Sequence, residues 1–295
     1  MKVVYSDSYF ADIGNHVFPA QKYRLVYEEL IKEKVIDKDD IVEPVMPSRE
    51  ELLDILDEDY LDDLFNARLT KRTMFSEMPV KKDVIFAQIL SCGGSYVASR
   101  IAIEKGCCYH IGGGFHHAFK DHAEGFCYVN DIVYAGVKIL KEGIKRIAVI
   151  DCDLHQGNGT ANFFKDEKRV FTFSIHQERL YPVKEKSDLD IGLDEATSDD
   201  DYLDKLRFAI DYIDKNFSPE FIIYQAGADP YKFDLLGDLS LTMEGLRKRD
   251  EMVIGYAYQK KIPIVSVLGG GYAKDTDDTI KIHMNTAIVM KEFFG

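Results

Sequence analysis

The segment Asp151-Cys152-Asp153-Leu154-His155 places two carboxylates and an imidazole within one short stretch. Asp153 and His155 are two residues apart, so in extended backbone both side chains point the same way and can share one ion. Asp229, after Ala226-Gly227-Ala228, offers a second carboxylate from elsewhere in the chain. Two oxygens and one nitrogen with a fourth position open are the donor set of a catalytic zinc site. A set this rich in oxygen also accepts Fe²⁺ or Co²⁺. The plainer reading is a strand-end turn in which the Asp side chains only cap backbone groups. His116 and His117 follow Gly112-Gly113-Gly114-Phe115. Beside a metal ion, such a pair can serve as general base and general acid, although a lone His-His pair is more often an accident of surface or core. Asp151 and Asn158 are the nearest groups to orient the far ring nitrogens. Tyr272 follows Gly269-Gly270-Gly271, and its hydroxyl could stabilise an oxyanion. Neither glycine-rich loop matches a phosphate-binding pattern.

These residues need elements to carry them. Arg146 to Ile150 is a short apolar run rich in β-branched residues, which reads as a buried strand of a parallel sheet. Asp151 therefore stands at the carboxyl end of a central strand, where open α/β sheets bind ligands. Further strands are predicted at Lys2 to Tyr5, Cys107 to Ile111, Val170 to Ile175, Phe221 to Gln225 and Ile262 to Leu268. Gln156 to Gly159 reads as a loop, with a helix starting at Thr160. Helical spacing appears from Ala20 to Ile31, around Tyr60 to Phe65, and over Asp83 to Glu104, Val129 to Glu142, Asp199 to Phe217, Thr242 to Lys260 and Asp277 to Phe294. Ser48 with Glu51 forms a capping box. Arg72 to Lys82 reads as a surface loop. Strands alternating with helices predict an α/β fold: one domain over residues 1–295, with a central, mostly parallel sheet flanked by helices on both faces. In such a sheet the polar clusters after five strands converge on one edge: Gly112 to His117, Asp151 to His155, Ser174 with His176, Ala226 to Asp229, and Gly269 to Tyr272.

Bulk properties narrow the partners. The chain has 37 basic and 51 acidic residues, a formal charge of −14. That argues against a nucleic-acid surface, which needs clustered Lys and Arg, and leaves basic proteins or polyamines open. The five cysteines include no C-x-x-C pair and read as reduced, buried thiols of a cytoplasmic protein. Cys152 should point into the core. The first residues turn polar too early for a signal peptide, and no apolar run reads as a membrane span. His16, His110, His122 and His283 read as structural. Oligomeric state is not legible.

Several stretches together resemble the histone deacetylase family of the arginase/deacetylase fold. They are Gly112 to Ala118, Gly125-Phe126-Cys127-Tyr128-Val129-Asn130-Asp131, Asp151 to Gly159, Gly227-Ala228-Asp229 and Leu268 to Tyr272. They come in the family's order, and the resemblance covers nearly the whole chain. Gln156-Gly157-Asn158-Gly159 looks like the class IV branch and its bacterial relatives. The resemblance implies zinc held by Asp153, His155 and Asp229. It implies proton transfer by His116 and His117, and a carbonyl polarised by Tyr272. It also implies an acyl-lysine tunnel flanked by Phe126 and Tyr181, lined by Gly125, with Leu236 near its mouth. A potassium ion is implied near Asp151 and Ser174, with backbone oxygens of Asp153 and His155.

Class I members carry Asp where this chain has Asn158, so which histidine is base and which is acid stays open. Lys22 stands where many members place an arginine in an internal product channel. The acidic rim residue of class I enzymes has no clear counterpart between Arg72 and Asp83. The expected function is a zinc-dependent amidohydrolase removing acetyl or longer acyl groups from lysine side chains of proteins. A deacetylase of small acetylated amines is the main alternative. An inactive acyl-lysine binder and a two-manganese ureohydrolase fit the residues less well.

Overall fold

Apolar, β-branched runs of four to eight residues have nowhere to bury both faces except between helices. The chain solves this with one sheet and two helical layers. The computed structural model describes residues 1–295. Its elements run β1 (Val3–Val4), α1 (Lys22–Lys32), β2 (Ile41–Val42), α2 (Arg49–Leu52), α3 (Glu58–Phe65), α4 (Lys82–Lys105) and β3 (Cys107–His110). There follow α5 (Asp131–Lys141), β4 (Ile147–Asp151), α6 (Asn158–Phe164), β5 (Val170–Gln177), β6 (Leu189–Leu193) and α7 (Asp199–Asn216). The chain closes with β7 (Phe221–Gln225), α8 (Met243–Lys260), β8 (Ile264–Val267) and α9 (Thr276–Phe294).

The eight strands lie in the order β2-β1-β3-β8-β7-β4-β5-β6, and every pairing is parallel. The single α/β domain with helices on both faces is thus as the sequence indicates, and the sheet is parallel throughout. On one side α4 packs on α5 and α5 on α6; on the other α1 packs on α9, α9 on α8 and α8 on α7. Strands β3, β4, β7 and β8 are completely buried.

Some boundaries differ from the expectation. Edge strands β2 and β6 carry no apolar run long enough to announce them, and both are partly exposed. The helix after the central strand begins at Asn158, two residues earlier than Thr160. Strand β5 continues through His176 rather than ending before it. Helix α4 is long and apolar enough to cross a membrane by length and composition, contrary to the sequence reading, but 67% of its most apolar window is buried inside the fold. It is a core helix. Its Gly93 lies so close to the Val45 carbonyl oxygen that no side chain fits between them.

Candidate active site

The strand order brings the polar clusters together. Asp151 ends β4, with Asp153 and His155 in the turn beyond it; Asp229 lies just past β7, Gly269 to Tyr272 just past β8, and His116 and His117 past β3. Asp153, His155 and Asp229 are all buried, and one candidate ligand atom from each lies within 4.8 Å of the others. His155 turns its Nδ1 inward, 3.2 Å from Asp229 Oδ2 and 3.4 Å from Asp153 Oδ1. Backbone amides aim the carboxylates: Leu154 N–H donates to Asp229 Oδ1 (3.0 Å) and Gly270 N–H to Asp153 Oδ2 (2.8 Å). Burial and the neighbouring Asp153 charge raise the Asp229 pKa to about 6. Two buried carboxylates converging with an imidazole form a site that a divalent cation satisfies, and the donor set fits zinc.

The histidine pair sits beside this cluster. His116 Nδ1 pairs with Asp151 Oδ2 and His117 Nδ1 with Asn158 Oδ1, each at 2.8 Å. Burial opposes a charge on His116, but Asp151 and Asp153 outweigh it and raise the pKa to about 9. Burial, then the charges of His116 and His155, push His117 well below the ordinary histidine value. The loop bearing both rings is pinned by Asp131, whose Oδ1 accepts from Gly114 N–H (2.9 Å) and Phe115 N–H (2.7 Å). Asn130, the N-cap of α5, adds a bond from its Nδ2 to His116 O (3.2 Å).

Aromatic rings wall the space above. The Tyr272 and Phe126 ring centroids are 5.9 Å apart, and Tyr272 and Phe18 are 6.4 Å apart. The void these rings share with the histidines and the ligand cluster is about 20 Å³, room for a single water. Burial, with the charges of Asp229 and Asp153, holds the Tyr272 phenol well above the ordinary tyrosine value. It therefore stays protonated and can donate. Gly125 (φ +51°) and Phe126 (φ +66°) form the centre of a tight turn, closed by Glu124 N–H to Cys127 O (3.0 Å) and Cys127 N–H to Glu124 O (2.9 Å). A Cβ on Gly125 would lie 2.6 Å from His117 Cδ2 and 2.7 Å from the Tyr181 hydroxyl, so only glycine lets this wall close. The Tyr181 ring is 5.4 Å from His117. Lys22 is fully buried and donates to Gly269 O (2.6 Å).

Two candidates sit apart. Leu236 is half-buried on the loop beyond Asp229 and does not line the small void. Ser174 lies opposite Asp151 in the β4–β5 register, and its hydroxyl pairs with His176 Nδ1 (2.9 Å). Cys152 points into the core as expected. His110 and His283 are buried and stand outside the Asp153–His155–Asp229 group, while His122 approaches Glu124 at 3.6 Å.

Outside the rings lies a groove of about 960 Å³, bordered by Asp57, Lys71, Phe75, Glu77, Glu124 and Tyr181 among others. Glu77, from the segment between Arg72 and Asp83, lies on the groove wall. Three supporting residues have no role in the sequence reading. Asp131 holds the histidine loop, Glu124 contacts Asn158, and Asp234 accepts from Tyr272 N–H (2.7 Å) and Leu236 N–H (2.9 Å). Asp131 lies inside a quoted motif, but no spacing marks Glu124 or Asp234.

Comparison with known proteins agrees with this geometry. The histone deacetylase domain model matches residues 16–287. Histone deacetylase 2 of Arabidopsis thaliana is 33% identical over 292 residues, covering 94% of this chain and 76% of the relative. The acetoin utilization protein AcuC of Bacillus subtilis is 31% identical over 296 residues, covering 91% and 76%. An uncharacterized protein of Picosynechococcus is 35% identical over 285 residues, covering 95% of both chains. The crystal structure of an HDAC homolog from Aquifex aeolicus shares the fold, with a TM-score of 0.84 at 24% identity over 99% of this chain and 84% of that one. The strand-end clusters, the oriented histidine pair and the match over nearly the whole length place the chain in the histone deacetylase family of hydrolases, which act on acetylated substrates.

Proposed function

We propose that the protein is a zinc-dependent amidohydrolase that removes acetyl or longer acyl groups from the side-chain amine of lysine. The observation that carries this reading is the convergence of Asp153, His155 and Asp229 beside two histidines whose far nitrogens are already held. When bound there, a divalent cation supplies Lewis acidity toward a carbonyl oxygen and toward water. The protein's own groups do the rest. His117, kept neutral, presents Nε2 as the base that takes a proton from the attacking water. His116, whose Nδ1 is 2.8 Å from Asp151 Oδ2, would have its positive charge stabilised by that carboxylate, which would favour the negative charge that develops beside it. Tyr272 donates its hydroxyl hydrogen to the carbonyl oxygen as that oxygen becomes negative. When the tetrahedral intermediate collapses, His117 returns the proton to the leaving amine, and a carboxylate departs.

The groove supports a basic substrate. Asp57, Glu58, Asp59, Glu77, Asp121 and Glu124 border it, against Lys71 and Arg72. A lysine-bearing polypeptide fits a groove of this volume; a small acetylated polyamine would share the charge preference and use less of it. The family resemblance also implies a potassium ion near Asp151 and Ser174, which are partners in the β4–β5 register. The test is hydrolysis of acetyl-lysine and long-chain acyl-lysine peptides, with chelator and with zinc restored. Zinc-restored turnover of either peptide is the expected result, and their ratio gives the acyl preference. No turnover with zinc demonstrably bound would reject the reading for protein substrates.

A further inference from the structure

Asn158 is the only amide among the two groups that orient the histidine pair. An amide can face a ring nitrogen with its oxygen or with its NH₂, and these two poses demand opposite tautomers of the ring. What decides between them lies on the far side of the amide. Asn158 Nδ2 is 2.8 Å from Glu124 Oε1. The Tyr181 hydroxyl donates to the same oxygen at 3.0 Å, and His122 Nε2 stands 3.6 Å from Glu124 Oε2. We propose that Glu124 is a positioning residue that, through Asn158, fixes His117 in the tautomer with Nδ1 protonated and Nε2 free to accept a proton. The proposal rests on the amidohydrolase reading and adds a residue to it.

The argument is one of donors and acceptors. A carboxylate only accepts, so it must face the Asn158 NH₂. That turns Asn158 Oδ1 toward His117. A carbonyl oxygen also only accepts, so His117 Nδ1 must carry a hydrogen. In a neutral ring this leaves the lone pair on Nε2, the nitrogen that lies 3.1 Å from His116 Nε2 on the side of the metal-ligating cluster. Were the amide turned over, its oxygen would oppose the Glu124 carboxylate and its NH₂ would force the lone pair onto His117 Nδ1, away from any substrate. Burial works against the Glu124 charge, but the hydrogen bonds from His122, Asn158 and Tyr181 prevail and keep its pKa below the ordinary glutamate value.

Two further features suit a fixed point rather than a mobile surface charge. The Glu124 side chain is 21% exposed, and it contacts an amide that is 1% exposed. Its backbone is tied on both sides by the Gly125-Phe126 turn, whose other face forms the wall against His117. The same turn thus sets the wall and the far end of the hydrogen-bond chain. A carboxylate directly on His117 would place the charge one bond nearer; here the charge sits beyond an amide, which transmits orientation while softening the pull on the proton.

The test uses the zinc-loaded full chain and an acetyl-lysine peptide with no other charge, so that the groove's own electrostatics do not enter. Glu124→Ala is expected to lower kcat roughly ten- to a hundredfold with KM unchanged. Glu124→Gln keeps an acceptor oxygen but can also turn its NH₂ toward Asn158, and should fall between the parent and Glu124→Ala. Asn158→Asp alone sets two carboxylates face to face and should lose activity. Adding Glu124→Gln to it exchanges amide and carboxylate and should recover most of that loss. Nitrogen-15 NMR of the histidine rings reads the tautomer directly, with His117→Ala identifying the signal. The parent should show Nδ1 protonated, and Glu124→Ala a mixture. A parent-like His117 pattern in Glu124→Ala, a change confined to KM, or no recovery in the exchanged pair would overturn the proposal. If the zinc-loaded parent hydrolyses no acyl-lysine peptide, the amidohydrolase reading fails on its own, and the ring pattern still decides the role of Glu124.

Discussion

The Nε2 atoms of His116 and His117 face each other at 3.1 Å, so one proton can lie between the two rings. Asp151 favours that proton on His116, while His117, oriented only by the neutral Asn158, offers its Nε2 lone pair as the acceptor. The two histidines are therefore unequal. His117→Ala should retain metal and lose roughly 10²- to 10⁴-fold in turnover, the usual range for a general base. His116→Ala should lose less. Metal content and kcat measured together check this; equal losses from the two variants would show that the rings share the work.

Asp229→Ala should empty the metal site, because it removes one of three protein donors and leaves Asp153 and His155 alone. Tyr272→Phe should keep the metal and lose about 10²- to 10³-fold in kcat, the scale of one oxyanion donor. Metal analysis separates the two. Full metal retention in Asp229→Ala would reject the donor assignment, and undiminished turnover in Tyr272→Phe would remove the phenol from the reaction.

Lys22 gives a pH signature. Burial lowers its pKa from 10.5 to about 8, against the pull of Asp229, Asp153 and Asp234. Between those values the unfolded chain holds more of the lysine proton than the folded one, so this residue's contribution to stability rises with pH across that window. Below pH 8 the full cost of the buried charge is present, about 3 kcal/mol. In the metal-free chain, Lys22→Met should therefore gain stability relative to the parent at pH 7, and this gain should shrink from pH 8 to 10.5. Denaturant unfolding of both chains across the range checks it; a difference independent of pH would show that the Lys22 pKa is the same in the folded and the unfolded chain.

Gly93 tests the packing of α4. A Cβ there would overlap the Val45 carbonyl oxygen, and backbone cannot yield as a flexible side chain can. Gly93→Ala should cost about 1–3 kcal/mol, the usual penalty of overpacking. An unchanged unfolding midpoint would mean that the Val45 loop adapts freely.

Much of this site is written locally. Asp153 and His155 show their shared direction through a spacing of two, and each cluster follows a β-branched run, so their convergence follows from placing those runs side by side. The edge strands are hidden for the converse reason. Ile41–Val42 is too short to carry a pattern, and Leu189–Leu193 is interrupted by Asp190 and Gly192. Asn158 reads as a loop residue because Asn-Gly favours turns, yet the tertiary structure makes it the first residue of α6. Glu124 and Asp234 are two among 51 acidic residues. Their roles depend on Asn158, 34 positions away, and Tyr272, 38 away, and no local period encodes such partnerships.

The strand order also bears on how the chain is made. Strands β3 and β4 are consecutive in sequence, but β7 and β8 lie between them. In a chain that has emerged only through β6, β3 and β4 lack the partners that β8 and β7 supply in the finished sheet. The last third of the polypeptide supplies those central strands and, with them, Asp229 and Tyr272. Synthesis from the N-terminus therefore completes the Asp153–His155–Asp229 cluster only when the centre of the sheet is filled, and a chain released before that point leaves β3 and β4 each with an edge that is paired in the finished sheet.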